Sequence, residues 1–174
     1  MHVKGQEFAG YGGRALQGMG LGYATSNRGA CHLRHAVFEE DMEDISGNGK
    51  AQPCKDSQDQ VATVDSTGLC LFVGDAGMGP EHFAQLLDSD LPGTWDEDRM
   101  TLTGERVWNL ERRFNLAAGL TKADDTLPKR LLEVPLTEGS AEGKVNELSI
   151  MLPEYYELRG WTEDGVPTNE TIDR

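Results

Sequence analysis

Apolar residues in this chain recur at helical spacing, and no segment sustains the period-two alternation of β-branched residues that a half-buried strand requires. The clearest run begins after Asp96, a natural N-cap, and continues through Met100, Val107, Leu110, Phe114 and Ala117 or Ala118 until Gly119. Within it, Arg106, Glu111, Arg112 and Arg113 are expected mostly to face water or pair locally. Further helices are expected around Ala15 to Asn27 and Gln52 to Val64, and from Pro80 through Phe83, Leu86 and Leu87 to Pro92-Gly93. A last one takes in Val145, Leu148, Met151, Leu152, Tyr155 and Leu158, and Pro153 should kink or restart it. With 174 residues, 37% of them hydrophobic, and no internal repeat, the chain suits one domain with a modest core. The expected fold class is all-α, a single irregular helical domain over residues 1–174.

Glycine and charge shape the rest. Seven glycines lie before residue 23 (Gly5, Gly10, Gly12, Gly13, Gly18, Gly20 and Gly22), so the opening segment is expected to be irregular and to let backbone come close to another group. Its Gly-x-Gly pairs follow no apolar strand and make a weak dinucleotide fingerprint. The acidic bunch Glu39-Glu40-Asp41-Met42-Glu43-Asp44 reads as a solvated, exposed connection. A formal charge of −14 repels phosphate backbones and anionic lipid, which argues against nucleic acid and membrane surfaces as partners. No stretch approaches the roughly 20 apolar residues of a membrane span, and the first residues lack a signal-peptide core. A cytoplasmic protein is expected, and the widely spaced Cys31, Cys54 and Cys70 are expected to be reduced thiols.

Three segments hold residues that suit chemistry. Asp65-Ser66-Thr67-Gly68-Leu69-Cys70 puts a carboxylate five residues before a thiol across a glycine turn at a helix end. Gly68 suits a left-handed terminator, with Leu69 packing back on the helix. An ionised carboxylate only accepts hydrogen bonds and suits a heterocycle rich in N–H groups; a thiolate suits iron in a sulfide cluster. The same residues also read as a plain helix end followed by an inert cysteine. Asn27-Arg28-Gly29-Ala30-Cys31-His32-Leu33-Arg34 sets a histidine between arginines, a local positive patch suited to an oxyanion or simply answering nearby acids. Tyr155-Tyr156-Glu157-Leu158-Arg159-Gly160-Trp161 gathers aromatics as a core or docking surface would.

Taken in order, five stretches resemble the C-terminal third of the aldehyde:ferredoxin oxidoreductase family: Gly20 to Arg34, Asp65 to Cys70, Gly104 to Arg112, Asp124 to Arg130, and Tyr155 to Trp161. The resemblance implies tungsten, or in some relatives molybdenum, held by two pterin dithiolenes beside a [4Fe-4S] cluster that delivers electrons to ferredoxin. It implies that Asp65 binds a pterin ring, that Cys70 ligates iron, and that Gly68 and Leu69 line the approach. It assigns His32 a place beside the metal, hydrogen-bonding the aldehyde carbonyl or moving a proton, and brings Arg34 to a pterin phosphate. Members of the family also carry a β-rich N-terminal domain and a middle domain with the other cluster cysteines, which this chain lacks. By itself the chain is therefore expected to be inactive and to need those domains as partners. The rival expectations are a cofactor-free remnant and a helical interaction module.

Overall fold

The structure, a computed structural model, describes residues 1–174, with Gly74 and Asp75 described by backbone alone. Helices dominate, as the periodicity predicts. Among the described residues, β structure is limited to a short ribbon, β1 (His2–Val3) antiparallel to β2 (Gln6–Glu7), and a single bridge between Trp161 and Pro167. The helices follow as α1 (Gln17–Thr25), α2 (Phe38–Glu43), α3 (Ala51–Thr67), α4 (Phe72–Asp75), α5 (Pro80–Asp90), α6 (Glu97–Ala117), α7 (Lys129–Glu133), α8 (Leu148–Leu158) and α9 (Asn169–Ile172).

Helix α3 is the central post, with α1, α5, α6 and α8 packed against it. The main core joins Met19, Leu21 and Tyr23 of α1 to Cys54 and Ala62 of α3, Trp108 of α6, and Met151, Tyr155 and Tyr156 of α8. A smaller core, Val64, Phe83, Ala84 and Met100, fixes α5 to the end of α3 and the start of α6.

Every residue of α1 is buried, and its glycines explain how. A side chain at Gly22 would collide with the buried His35 imidazole, and one at Gly20 would strike Asn146 and come 3.0 Å from the Gly13 carbonyl. The close approach anticipated for this segment is thus to side chains and backbone of the same chain. Its first free N–H groups, Gly18 and Met19, donate to the two oxygens of Asp41 at 2.8 and 2.9 Å. Asp41 is buried, and desolvation raises its carboxyl above the usual range, against the lowering pull of those two N–H groups and Lys50. The exposed segment expected at Glu39 to Asp44 is corrected at one residue: its other five residues are exposed, but α2 forms there and presents Asp41 inward as a helix cap.

The core face of α6 also departs from expectation. Its buried residues are Met100, Gly104, Trp108 and Arg112, one every four residues. Leu110 and Phe114, which the apolar spacing puts inside, are 67% and 72% exposed. Met100 is buried as expected and Val107 packs against the core, but the stripe continues through a glycine and an arginine, so counting apolar residues leaves the buried face after Val107. Arg112 is not water-facing: it lies buried under Trp161, with its guanidinium 4.9 Å from the ring. Its Nε donates to the Gly165 carbonyl at 2.8 Å and one arm to Asp125 at 3.0 Å. Helix α8 starts at Leu148, after the expected Val145, and runs through Pro153 as one element rather than restarting. No described helix is long and apolar enough to cross a membrane.

Candidate functional site

Asp65, Gly68, Leu69 and Cys70 lie at and just past the C-terminal end of α3, and Arg34 reaches Asp65 there. There Gly68 adopts φ +74°, the left-handed conformation that stops a helix, and its N–H donates to the Asp65 carbonyl at 3.2 Å. The Thr67 hydroxyl secures the turn by donating to the Val64 carbonyl at 2.7 Å and accepting from the Leu69 N–H at 3.2 Å. Leu69 does not pack back on α3 as the terminator pattern suggests; it stays exposed. Cys70 follows as an exposed free thiol, and its carbonyl accepts from Val73 at 3.0 Å where α4 begins.

Asp65 is joined from the side by Arg34, 31 residues earlier in the chain, at 2.8 Å. The Arg34 guanidinium is nearly buried, lies 5.1 Å from the centre of the Trp108 ring, and gives its other arm to Glu111 at 2.8 Å. The Arg159 guanidinium also lies 5.1 Å from the centre of the same ring. Arg159 is anchored in turn by Asp59, the Tyr155 hydroxyl and Gln58. Burial pushes the Tyr155 hydroxyl far up despite the nearby Arg159, so it stays a neutral donor, to Gln58. The floor beneath Asp65 and Arg34 is therefore a cross-linked wall of α3, α6 and α8.

His32 lies two residues before Arg34, but its surroundings differ. Its half-buried ring lies 5.5 Å from Tyr11 of the opening segment. In the preceding turn Arg28 donates to the Cys31 sulfur at 2.8 Å. The neighbouring His35, which the sequence reading passed over, is fully buried: its Nε2 meets the Met19 carbonyl at 3.2 Å and its ring abuts Tyr23. Desolvation pushes its pKa down to about 4, so it is a neutral packing group near pH 7. Of the two histidines in this loop, only His32 is open enough to meet a ligand.

Glu111 is the site residue that sequence reasoning placed wrongly, as water-facing or paired locally. It is 40% exposed, yet one oxygen accepts both from Arg34 and from Asn27 Nδ2, the latter at 3.2 Å. These partners come from a loop 77 and 84 residues away. Arg28, Arg34, Glu111 and Phe114 help line a groove of about 430 Å³ beside the ion pair. A larger concavity of about 710 Å³ sits on α8 at Leu152, Tyr156 and Trp161, the aromatic segment of the sequence, and none of His32, Arg34, Asp65, Gly68, Leu69 and Cys70 lines it. Among the described residues no group of three or more His, Cys, Asp or Glu is placed to hold a metal ion.

Comparison with known proteins bears on this arrangement. A family model described as aldehyde ferredoxin oxidoreductase, domains 2 and 3, matches residues 1–174. The chain is similar to the tungsten-containing aldehyde ferredoxin oxidoreductase of Pyrococcus furiosus, with 43% identity over 99% of this chain and 30% of that protein. To the protein of the same name from Pyrococcus horikoshii it is 44% identical, over 95% of this chain and 28% of the relative. It thus spans less than a third of the length of these relatives. Among solved structures it resembles the active site complex BamBC of benzoyl coenzyme A reductase in complex with 1,5-dienoyl-CoA. The TM-score is 0.55 and the identity 21%, over 71% of this chain and 18% of that one, a likeness of fold alone.

Proposed function

Because the chain belongs to the aldehyde ferredoxin oxidoreductase family, we propose that it forms the C-terminal part of a tungsten-pterin enzyme. That enzyme oxidises an aldehyde, with water, to the carboxylic acid and passes the electrons through a [4Fe-4S] cluster to ferredoxin. One observation carries the reading: an Asp65 carboxylate, 42% exposed on its side chain, stands one glycine turn from the exposed thiol of Cys70.

The donor set fits the two groups. Asp65 is held by a single bond through one oxygen, so the other is open to the N–H groups of a pterin ring. Cys70 offers one soft ligand for iron, and the cluster's remaining ligands come from elsewhere in the assembled protein. Gly68 and Leu69 line the approach between these two positions. Arg34 uses two of its five N–H donors on carboxylates, which leaves capacity for a pterin phosphate. When bound, the tungsten-pterin supplies two-electron redox chemistry and the cluster a one-electron outlet. His32 hydrogen-bonds the aldehyde carbonyl or takes the proton released as water adds; its half-buried ring limits competition from bulk water.

The partner is the portion of the family's polypeptide that this chain does not contain. Leu69 and Phe72 after Asp65, Leu33 beside Arg34, and Leu110 and Phe114 flanking Glu111 are all exposed apolar residues bordering the site. Their burial by the N-terminal and middle domains would close the pterin and cluster sites and exclude water. An exposed reduced thiol at the cluster position fits a reducing, cytoplasmic setting.

In the assembled enzyme, Cys70→Ala is expected to lower iron at least tenfold and Asp65→Ala to lower pterin by a similar factor. Metal and pterin assays on the purified variants check this, and undiminished occupancy in both would break the assignment.

A further inference from the structure

We propose that Glu111 is a positioning residue: by taking one arm of Arg34, it keeps Asp65 bound through a single oxygen and so leaves the other free to accept an N–H from a pterin ring. This rests on the reading of Asp65 given above and extends it to a residue that touches no ligand.

A guanidinium and a carboxylate left to themselves settle into a parallel fork, two N–H donors on two oxygens. At this site the fork is split. One terminal nitrogen of Arg34 bonds Oδ2 of Asp65 and the other bonds Oε2 of Glu111, each at 2.8 Å. The guanidinium is fixed in that pose by the Trp108 ring, 5.1 Å from its carbon. Glu111 is fixed as well: Asn27 Nδ2 donates to the same Oε2 and to the Trp108 carbonyl, both at 3.2 Å. The Asn27 backbone carbonyl accepts from Asn115 Nδ2 at 2.6 Å, tying this loop to α6 one turn further on. Asp65 is thereby oriented but only half used. Without the Glu111 carboxylate, the second arm of Arg34 is released and can turn to the open oxygen of Asp65, the carboxylate its first arm already holds. The fork would then close over the oxygen that the ligand needs.

The test uses the chain assembled with the N-terminal and middle portions of a relative and measures retained pterin by the fluorescence of its oxidised form. Glu111→Ala, which removes the acceptor together with the charge, is expected to lower pterin content about tenfold, and Asp65→Asn to lower it at least as much. Because Glu111 is 40% exposed, the alanine variant should fold like the wild type, which far-ultraviolet circular dichroism checks. If Glu111 acts through Arg34, then Glu111→Ala added to Arg34→Leu should change pterin content by less than about twofold relative to Arg34→Leu alone. Wild-type pterin content in Glu111→Ala, or a tenfold loss that persists without Arg34, overturns the positioning role while Asp65 stands. An assembled wild type that holds no pterin, or an Asp65→Asn protein that holds as much as wild type, removes the Asp65 reading and this inference with it.

Discussion

Asp125→Ala should cost the fold about 3–5 kcal/mol, the range for removing one partner from a buried ion pair, and lower Tm on the order of 10 °C for a domain of this size. The Asp125 carboxylate has no solvent exposure. It accepts from Lys4 Nζ at 2.8 Å, from one arm of Arg112 at 3.0 Å and from the Tyr156 hydroxyl at 2.6 Å. The second arm of Arg112 lies 2.7 Å from the other oxygen as a charge contact, off the line of a hydrogen bond. Removing the carboxylate strands two buried cations. They respond differently: burial already lowers the Lys4 pKa, with Asp125 opposing that shift, so Lys4 can lose its proton. Arg112 cannot, and it carries most of the cost. Lys4 also donates to the Ala24 and Ser26 carbonyls at 2.6 and 3.1 Å, so the damage extends to the end of α1. An added Arg112→Met should recover part of the loss, because an apolar side chain of similar length needs no counter-charge. A single Asp125→Ala variant melting within about 2 °C of wild type would show that the network is not placed as described.

The second large effect is expected at Gly104, where α6 crosses α3. A methyl group there would run into the Asp59 carbonyl oxygen and come 2.7 Å from the Thr63 hydroxyl. Helix α3 has little room to yield. The Asp59 side chain is held by Lys55 at 2.9 Å and by Arg159, while the Thr63 hydroxyl bonds the Asp59 and Met100 carbonyls at 3.0 and 2.8 Å. Alanine is the better helix former by about 1 kcal/mol, so on propensity alone Gly104→Ala would stabilise the protein. Steric overlap with backbone outweighs that, and the net expectation is a loss of about 2–3 kcal/mol. Chemical denaturation measures it, and a midpoint equal to or above wild type would mean that the helices do not meet at this residue.

Helix ends are where the sequence was readable. Asp96 and Gly68 mark the start of α6 and the end of α3 because capping is local chemistry: the Asp96 side chain accepts from Arg99 N–H at 2.9 Å, and Gly68 takes the positive φ few other residues tolerate. The inward face of α6 was readable only in part. Gly104 is there for close approach and Arg112 for a partner 13 residues on, and neither counts as apolar. Asp41 was hidden in the same way, an acid among acids until a helix terminus was found above it. At the site, the motif from Asp65 to Cys70 was legible as a resemblance, and the structure supplies its local geometry. The contacts Arg34–Asp65 and Arg34–Glu111 span 31 and 77 residues and follow from no local pattern.

The most direct test of the central claim, that this chain holds part of a tungsten-pterin and cluster site, is iron and tungsten content together with visible absorption. It is measured on the 174-residue chain alone and after co-production with the N-terminal and middle portions of a relative, in cells supplied with tungsten and able to make the pterin. The chain alone should carry neither metal, and the assembled protein should carry both with cluster absorption. Stoichiometric metal on the chain alone, or none in the assembled protein, would contradict the account.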